Sequence, residues 1–120
     1  MGQSKSHKKC AQDVINRLKE THLCHKEFPI FREGNMHFID GVGFPHKDKP
    51  HLKPIAVECE VGSSKLQRES NMLDLLEFKK RYPDSEVFQV ESVEEVDFGK
   101  LRRFQRPSFQ QRRFPPMRRF

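Results

Sequence analysis

No apolar run in this 120-residue chain approaches the roughly 18 residues needed to cross a bilayer, so no membrane partner is expected. No apolar stretch follows the polar, basic opening Met1 to Cys10, so no secretory leader is expected. Cysteine is sparse and odd in number. Cys10, Cys24 and Cys59 show no paired spacing, which argues against a disulfide framework and for a reducing, cytoplasmic or otherwise intracellular setting. At this length the chain offers one domain with a modest core.

Acidic residues are missing from one end altogether. From Gly99 to Phe120 there are seven Arg and one Lys with no Asp or Glu, a local charge of +8. Subtracting this from the total of +6 leaves residues 1–98 at −2. The composition thus divides the chain into a nearly neutral domain over 1–98 and a basic tail over 99–120, rich in Arg, Phe, Gln and Pro. The tail has too few aliphatic residues to build a core and is expected to be disordered.

Within the domain, Ala11, Val14, Ile15 and Leu18 recur at helical spacing and predict a helix over 6–23. Phe28, Ile30 and Phe31 predict a strand over 27–33, with Pro29 suiting an edge. Gly34-Asn35 reads as a turn. A second strand is expected over 37–44, an exposed proline-rich connection over 45–54, and a third strand over 55–61. Gly62-Ser63-Ser64 supplies a hinge and an N-cap for a helix carrying Leu66, Met72, Leu73, Leu75, Leu76 and Phe78, stopped by Pro83. A last strand is expected over 86–93. The expected class is α/β, in the order αβββαβ.

Carboxylates inside apolar strands carry the chemical signal. Asp40 interrupts His37-Phe38-Ile39-Asp40-Gly41-Val42, and Glu58 and Glu60 flank Cys59 in Ile55-Ala56-Val57-Glu58-Cys59-Glu60-Val61. An unpaired buried carboxylate is costly, and the usual compensations are a cation, a shifted pKa or a metal. Residues two apart on a strand share a face, so Glu58 and Glu60 are expected to point together while Cys59 turns away and offers its backbone carbonyl. With Asp40 on the neighbouring strand, this makes a hard-oxygen cluster suited to Mg2+ or Mn2+.

That placement of Asp40 and Glu58-Cys59-Glu60 within the αβββαβ order resembles the PD-(D/E)XK, or restriction-endonuclease-like, nuclease superfamily, over about 6–93. The resemblance implies a mixed sheet flanked by helices and metal-dependent hydrolysis of phosphodiester bonds, most simply in DNA. It implies that Asp40 and Glu58 are the two metal-binding acids. The family usually has Lys where this chain has Glu60, although some members carry Glu there. Lys65 at the start of the second helix is a candidate for the displaced cation. Gln67 and Asn71 on that helix, and Asp13 or Glu20 on the first, are candidate outer residues of the site. Cutting both strands needs two sites, which a homodimer would supply.

Plainer readings stand beside these. Asp40 before Gly41 also suits a turn or bulge. Glu58 and Glu60 also suit the wet face of an edge strand. Lys65, Gln67 and Asn71 also suit a solvated helix surface. His22, Cys24 and His25 are zinc-ligand types without the spacing of a zinc module. In the tail, Arg-Arg-Phe occurs at Arg102-Arg103-Phe104, Arg112-Arg113-Phe114 and Arg118-Arg119-Phe120. Arginines there can contact phosphates while phenylalanines stack on unpaired bases. The same composition also suits docking to a protein partner. A module of this fold that binds nucleic acid or protein without cutting is the alternative function.

Overall fold

The computed structural model describes residues 5–103. Six main elements follow in the order α1 (Lys5–Leu18), β1 (His22–Arg32), β2 (Asn35–Pro45), β3 (Ile55–Cys59), α2 (Lys65–Arg81) and β4 (Glu86–Val90). Two short 3-10 turns, Val93–Glu95 and Phe98–Leu101, close the described chain. The sheet order is β1-β2-β3-β4. The first three strands run antiparallel, and β4 returns parallel to β3 after the α2 crossover. A parallel pair needs such a crossover, and α2 supplies it.

Each helix covers one face of the sheet because each has apolar residues to bury there. Cys10, Val14 and Leu18 of α1 pack with Ile55, Val57 and Cys59, and Val93, Val96 and Leu101 close that cluster. Leu75 and Phe78 of α2 pack with Ile30, Ile39, Val42 and Ala56 on the other side. β3 lies between β2 and β4 with helices on both faces, and all five of its residues are buried. Two interior faces leave little room for an unsolvated charge.

Local signals fix the element ends. The Ser64 hydroxyl accepts from the Gln67 N–H at 3.1 Å and caps α2, while Lys79, Lys80 and Arg81 sit in its last turn, where cations favour the helix dipole. Glu33 and Gly34 form a two-residue hairpin loop with φ of 53° and 81°, a left-handed pair matching the twist of the long β1–β2 hairpin.

The element order and the mixed sheet are as expected, but several boundaries differ. The helix expected over 6–23 ends at Leu18, and β1 begins at His22. Pro29 is accommodated because β1 is an edge strand, where its missing N–H has no neighbour to serve. The folded part expected to stop at 98 continues to Arg103: Leu101 is 3% exposed, Leu52 bridges Arg102, and Arg103 donates to the Pro50 carbonyl at 3.0 Å and pairs with Asp84. The remaining tail candidates, Phe104, Arg112, Arg113, Phe114, Arg118 and Arg119, lie outside the described residues.

The expectation of unpaired cysteines is corrected: Cys10 of α1 and Cys59 of β3 form a disulfide, with Cα atoms 6.2 Å apart. Their separation of 49 residues left no local spacing to read, and the pairing removes the ground for inferring a reducing compartment. Cys24 remains a thiol, its pKa raised by burial. No helix among the described residues is long and apolar enough to cross a membrane.

Candidate functional site

Regular pairing between β2 and β3 ends at Gly41 and Val57, one step short of Asp40 and Glu58. Beyond that step side chains replace the backbone ladder. Asp40 Oδ2 accepts the Cys59 N–H at 2.8 Å, and Glu58 Oε1 accepts the Asp40 N–H at 3.4 Å. The two acids thus hold the splayed strands by reciprocal contacts.

The pleat of β2 changes at the same place. Ile39 and Val42 both belong to the α2-side cluster although they are three positions apart, so the two residues between them are displaced from simple alternation. A Cβ built on Gly41 would meet Ile15 at 3.6 Å and Val14 at 3.9 Å, both on α1. On the facing strand, Glu27 opposes Asp40 with a positive φ of 50°. This irregularity turns the Asp40 carboxylate toward α1, where His7 Nε2 lies 3.2 Å from Oδ2.

Glu58 is 2% exposed, and its Oε2 has no hydrogen-bond donor among the described residues. Its neighbour is the Asp40 carboxylate, itself an acceptor unless one of the two acids holds a proton. Burial first, and then repulsion from Asp40, pushes the Glu58 pKa up to about 10. At neutral pH Glu58 of the metal-free protein therefore retains its proton.

Glu60 departs from the expected cluster. It is 1% exposed, but Asn71 Nδ2 donates to its Oε1 at 3.0 Å and Gln89 Nε2 donates to its Oε2. Gln67 donates in turn to Asn71 Oδ1 at 2.9 Å, and Gln89 also donates to the Arg68 carbonyl at 2.7 Å. Glu60 is thus tied to α2 and β4 by amides. The wet-edge reading of Glu58 and Glu60 is excluded by the burial of both and by the interior position of β3, which carries Glu58 and ends one residue before Glu60.

The other candidates separate clearly. Lys65 is exposed on the first residue of α2 and makes no hydrogen bond or ion pair among the described residues. Asp13 is paired with Lys9 at 2.7 Å, and exposed Glu20 lies past the end of α1, opposite the His7 end of that helix. His22 is buried with both ring nitrogens engaged, by Thr21 Oγ1 at 2.7 Å and the Lys53 carbonyl at 2.8 Å, which suits a structural role. Among the described residues no group of three or more His, Cys, Asp or Glu side chains is arranged to hold a metal ion.

Asp40 lines an open cleft of about 480 Å³ between α1 and β1, together with Lys8, Lys9, Ala11, Gln12, Lys26 and Glu27. The cleft thus brings three lysines and a second acid, Glu27, to the Asp40 side of the pair, with the Lys9 ammonium engaged by Asp13 at 2.7 Å. Sequence reasoning passed over His7, Lys8, Lys9, Lys26 and Gln89. The basic opening of the chain was a signal for the first three, whereas Lys26 and Gln89 carry none until strand pairing places them. Comparison with protein-family models, with curated proteins and with solved structures finds no match.

Proposed function

We propose that the chain is a metal-dependent nuclease of PD-(D/E)XK type acting on DNA, with Asp40 and Glu58 as its metal-binding acids. The observation that carries this reading is the buried Asp40–Glu58 pair at the splayed end of β2 and β3, in which Glu58 Oε2 has no donor among the described residues and Asp40 lines a cleft with three lysines. A proton and a divalent cation are alternative ways to relieve two facing carboxylates, so the donor set fits Mg2+ or Mn2+. The Cys59 carbonyl is a candidate third oxygen. A bound ion of this kind lowers the pKa of water and polarises a phosphoryl oxygen.

The chain's own residues account for the rest of the chemistry. Asp40 and Glu58, once both ionised, present oxygens in one place and fix the position of whatever they hold. Lys8, Lys9 and Lys26 attract and align the phosphodiester backbone along the cleft. His7 orients Asp40 from the α1 side. Glu60, held by Asn71 and Gln89, fixes the strand end that carries Glu58. The basic tail adds affinity without sequence preference.

The engagement of Glu60 by amides, with Lys65 exposed, favours one second reading: a module of this fold that binds nucleic acid without cutting it. Nicking of supercoiled plasmid with Mg2+ or Mn2+, abolished by chelator and by Asp40→Asn, separates the two. The nuclease reading expects cleavage in wild type alone. Binding without cleavage under every metal condition selects the second reading.

A further inference from the structure

The β1–β2 hairpin carries three large apolar side chains in solvent: Phe31 is 52% exposed, Met36 54% and Phe38 55%. They form one surface. Phe31 pairs with Met36 and Pro29 with Phe38 across the hairpin, and residues two apart share a face of a strand. The opposite face carries Ile30 and Ile39 and is buried under α2. The exposed set therefore lies on the α1 side of the sheet, past the α1 end that carries His7. Phe38 stands two residues, about 7 Å, before Asp40.

Asp40 in turn lines the cleft that holds Lys8, Lys9 and Lys26, so the Phe38 end of the strip lies two residues along β2 from that cleft. Cations beside exposed aromatic rings suit a particular ligand, in which phosphates alternate with flat, unpaired rings. Duplex DNA offers the phosphates but keeps its bases stacked on one another. We propose that Phe31 and Phe38 form a stacking platform for unpaired bases, so that the site takes single-stranded or locally unpaired DNA, with the backbone held by the cleft lysines. The placement beside Asp40 rests on the nuclease reading; the binding surface itself does not.

The test uses the full chain in chelator, so that binding is read without cleavage. Fluorescence anisotropy measures affinity for a labelled single strand of about 20 nucleotides and for the duplex of the same sequence. Phe31→Ala/Phe38→Ala is expected to weaken single-strand binding by at least about 5-fold, and up to about 150-fold for one fully stacked base, with duplex binding within about 2-fold of wild type. Both positions are exposed, so thermal melts should coincide. Phe31→Leu/Phe38→Leu keeps apolar area without the ring and is expected to lose single-strand affinity as the alanine variant does.

Unchanged single-strand affinity, or an equal loss on duplex, overturns the proposal. So does sedimentation showing a wild-type dimer that the alanine variant turns into a monomer, since the strip then serves a second copy of this chain. If plasmid cleavage fails while the Phe variants lose single-strand binding, the platform stands and the nuclease reading falls. Cleavage by wild type together with unchanged binding by the variants has the opposite consequence.

Discussion

Glu58→Gln is expected to stabilise the metal-free protein, increasingly so as pH rises. The Glu58 pKa lies near 10 in the folded chain against 4.5 when solvated. A folded pKa raised above the unfolded one means that the native state holds a proton the unfolded state releases. Its stability contribution is therefore full below pH 4.5 and is lost as pH rises toward 10. At pH 7 the gap from 4.5 spans two and a half units at 1.36 kcal/mol each, about 3 kcal/mol of destabilisation. Gln keeps the shape, can still accept from the Asp40 N–H, and can donate an amide hydrogen to the Asp40 carboxylate without titrating. The variant should gain up to about 3 kcal/mol at pH 7 and less than about 1 kcal/mol at pH 5. For a folded body of this size the gain at pH 7 corresponds to about 12 °C in Tm. Melts of both proteins in chelator from pH 5 to pH 9 check this, because the titration of groups remote from the Asp40–Glu58 pair cancels in the difference. A constant difference across that range, or a variant less stable than wild type at pH 8, would refute the claim that Glu58 is buried against Asp40 without a cation.

Three further outcomes follow from other contacts. Arg32 Nε donates to buried Asp74 at 2.8 Å and ties the hairpin to α2, so Arg32→Met should cost about 3 kcal/mol in urea unfolding by leaving Asp74 without its main partner. Asn71→Ala removes a donor from fully buried Glu60 and should cost about 1–3 kcal/mol, read from the same denaturation midpoint. Deleting residues 104–120 removes five arginines, and the slope of log affinity against log salt on duplex DNA should flatten by up to about 0.9 per lost phosphate contact. An unchanged slope would assign the tail to a protein partner.

Much of the fold was legible because its signals are local. The helical spacing of Val14 and Leu18, the Ser64 cap and the stop at Pro83 each depend on a few neighbouring residues. Asp40 and Glu58 stood out because acids are rare in apolar strands, and the structure does bring them together. What stayed hidden depends on pairing between distant segments. His22 and Leu23 fall within the helix expected over 6–23 and become strand only by pairing with Pro45 and Phe44. Cys10 meets Cys59 only once α1 lies on the sheet. Glu60 lies one residue past the end of β3, and its partner Gln89 arrives from β4 through the parallel register, which a period-two argument does not contain.

In the function proposed above, Asp40 and Glu58 together hold a divalent cation where phosphodiester bonds are cut. Titrating wild type and Asp40→Asn with Mn2+ at pH 7 in two buffers of different ionisation enthalpy tests it most directly. One ion bound per chain with release of about one proton is expected, because Glu58 must give up the proton that its raised pKa retains. Asp40→Asn is expected to bind none. Binding of equal strength in both proteins, or no binding to wild type, would contradict it.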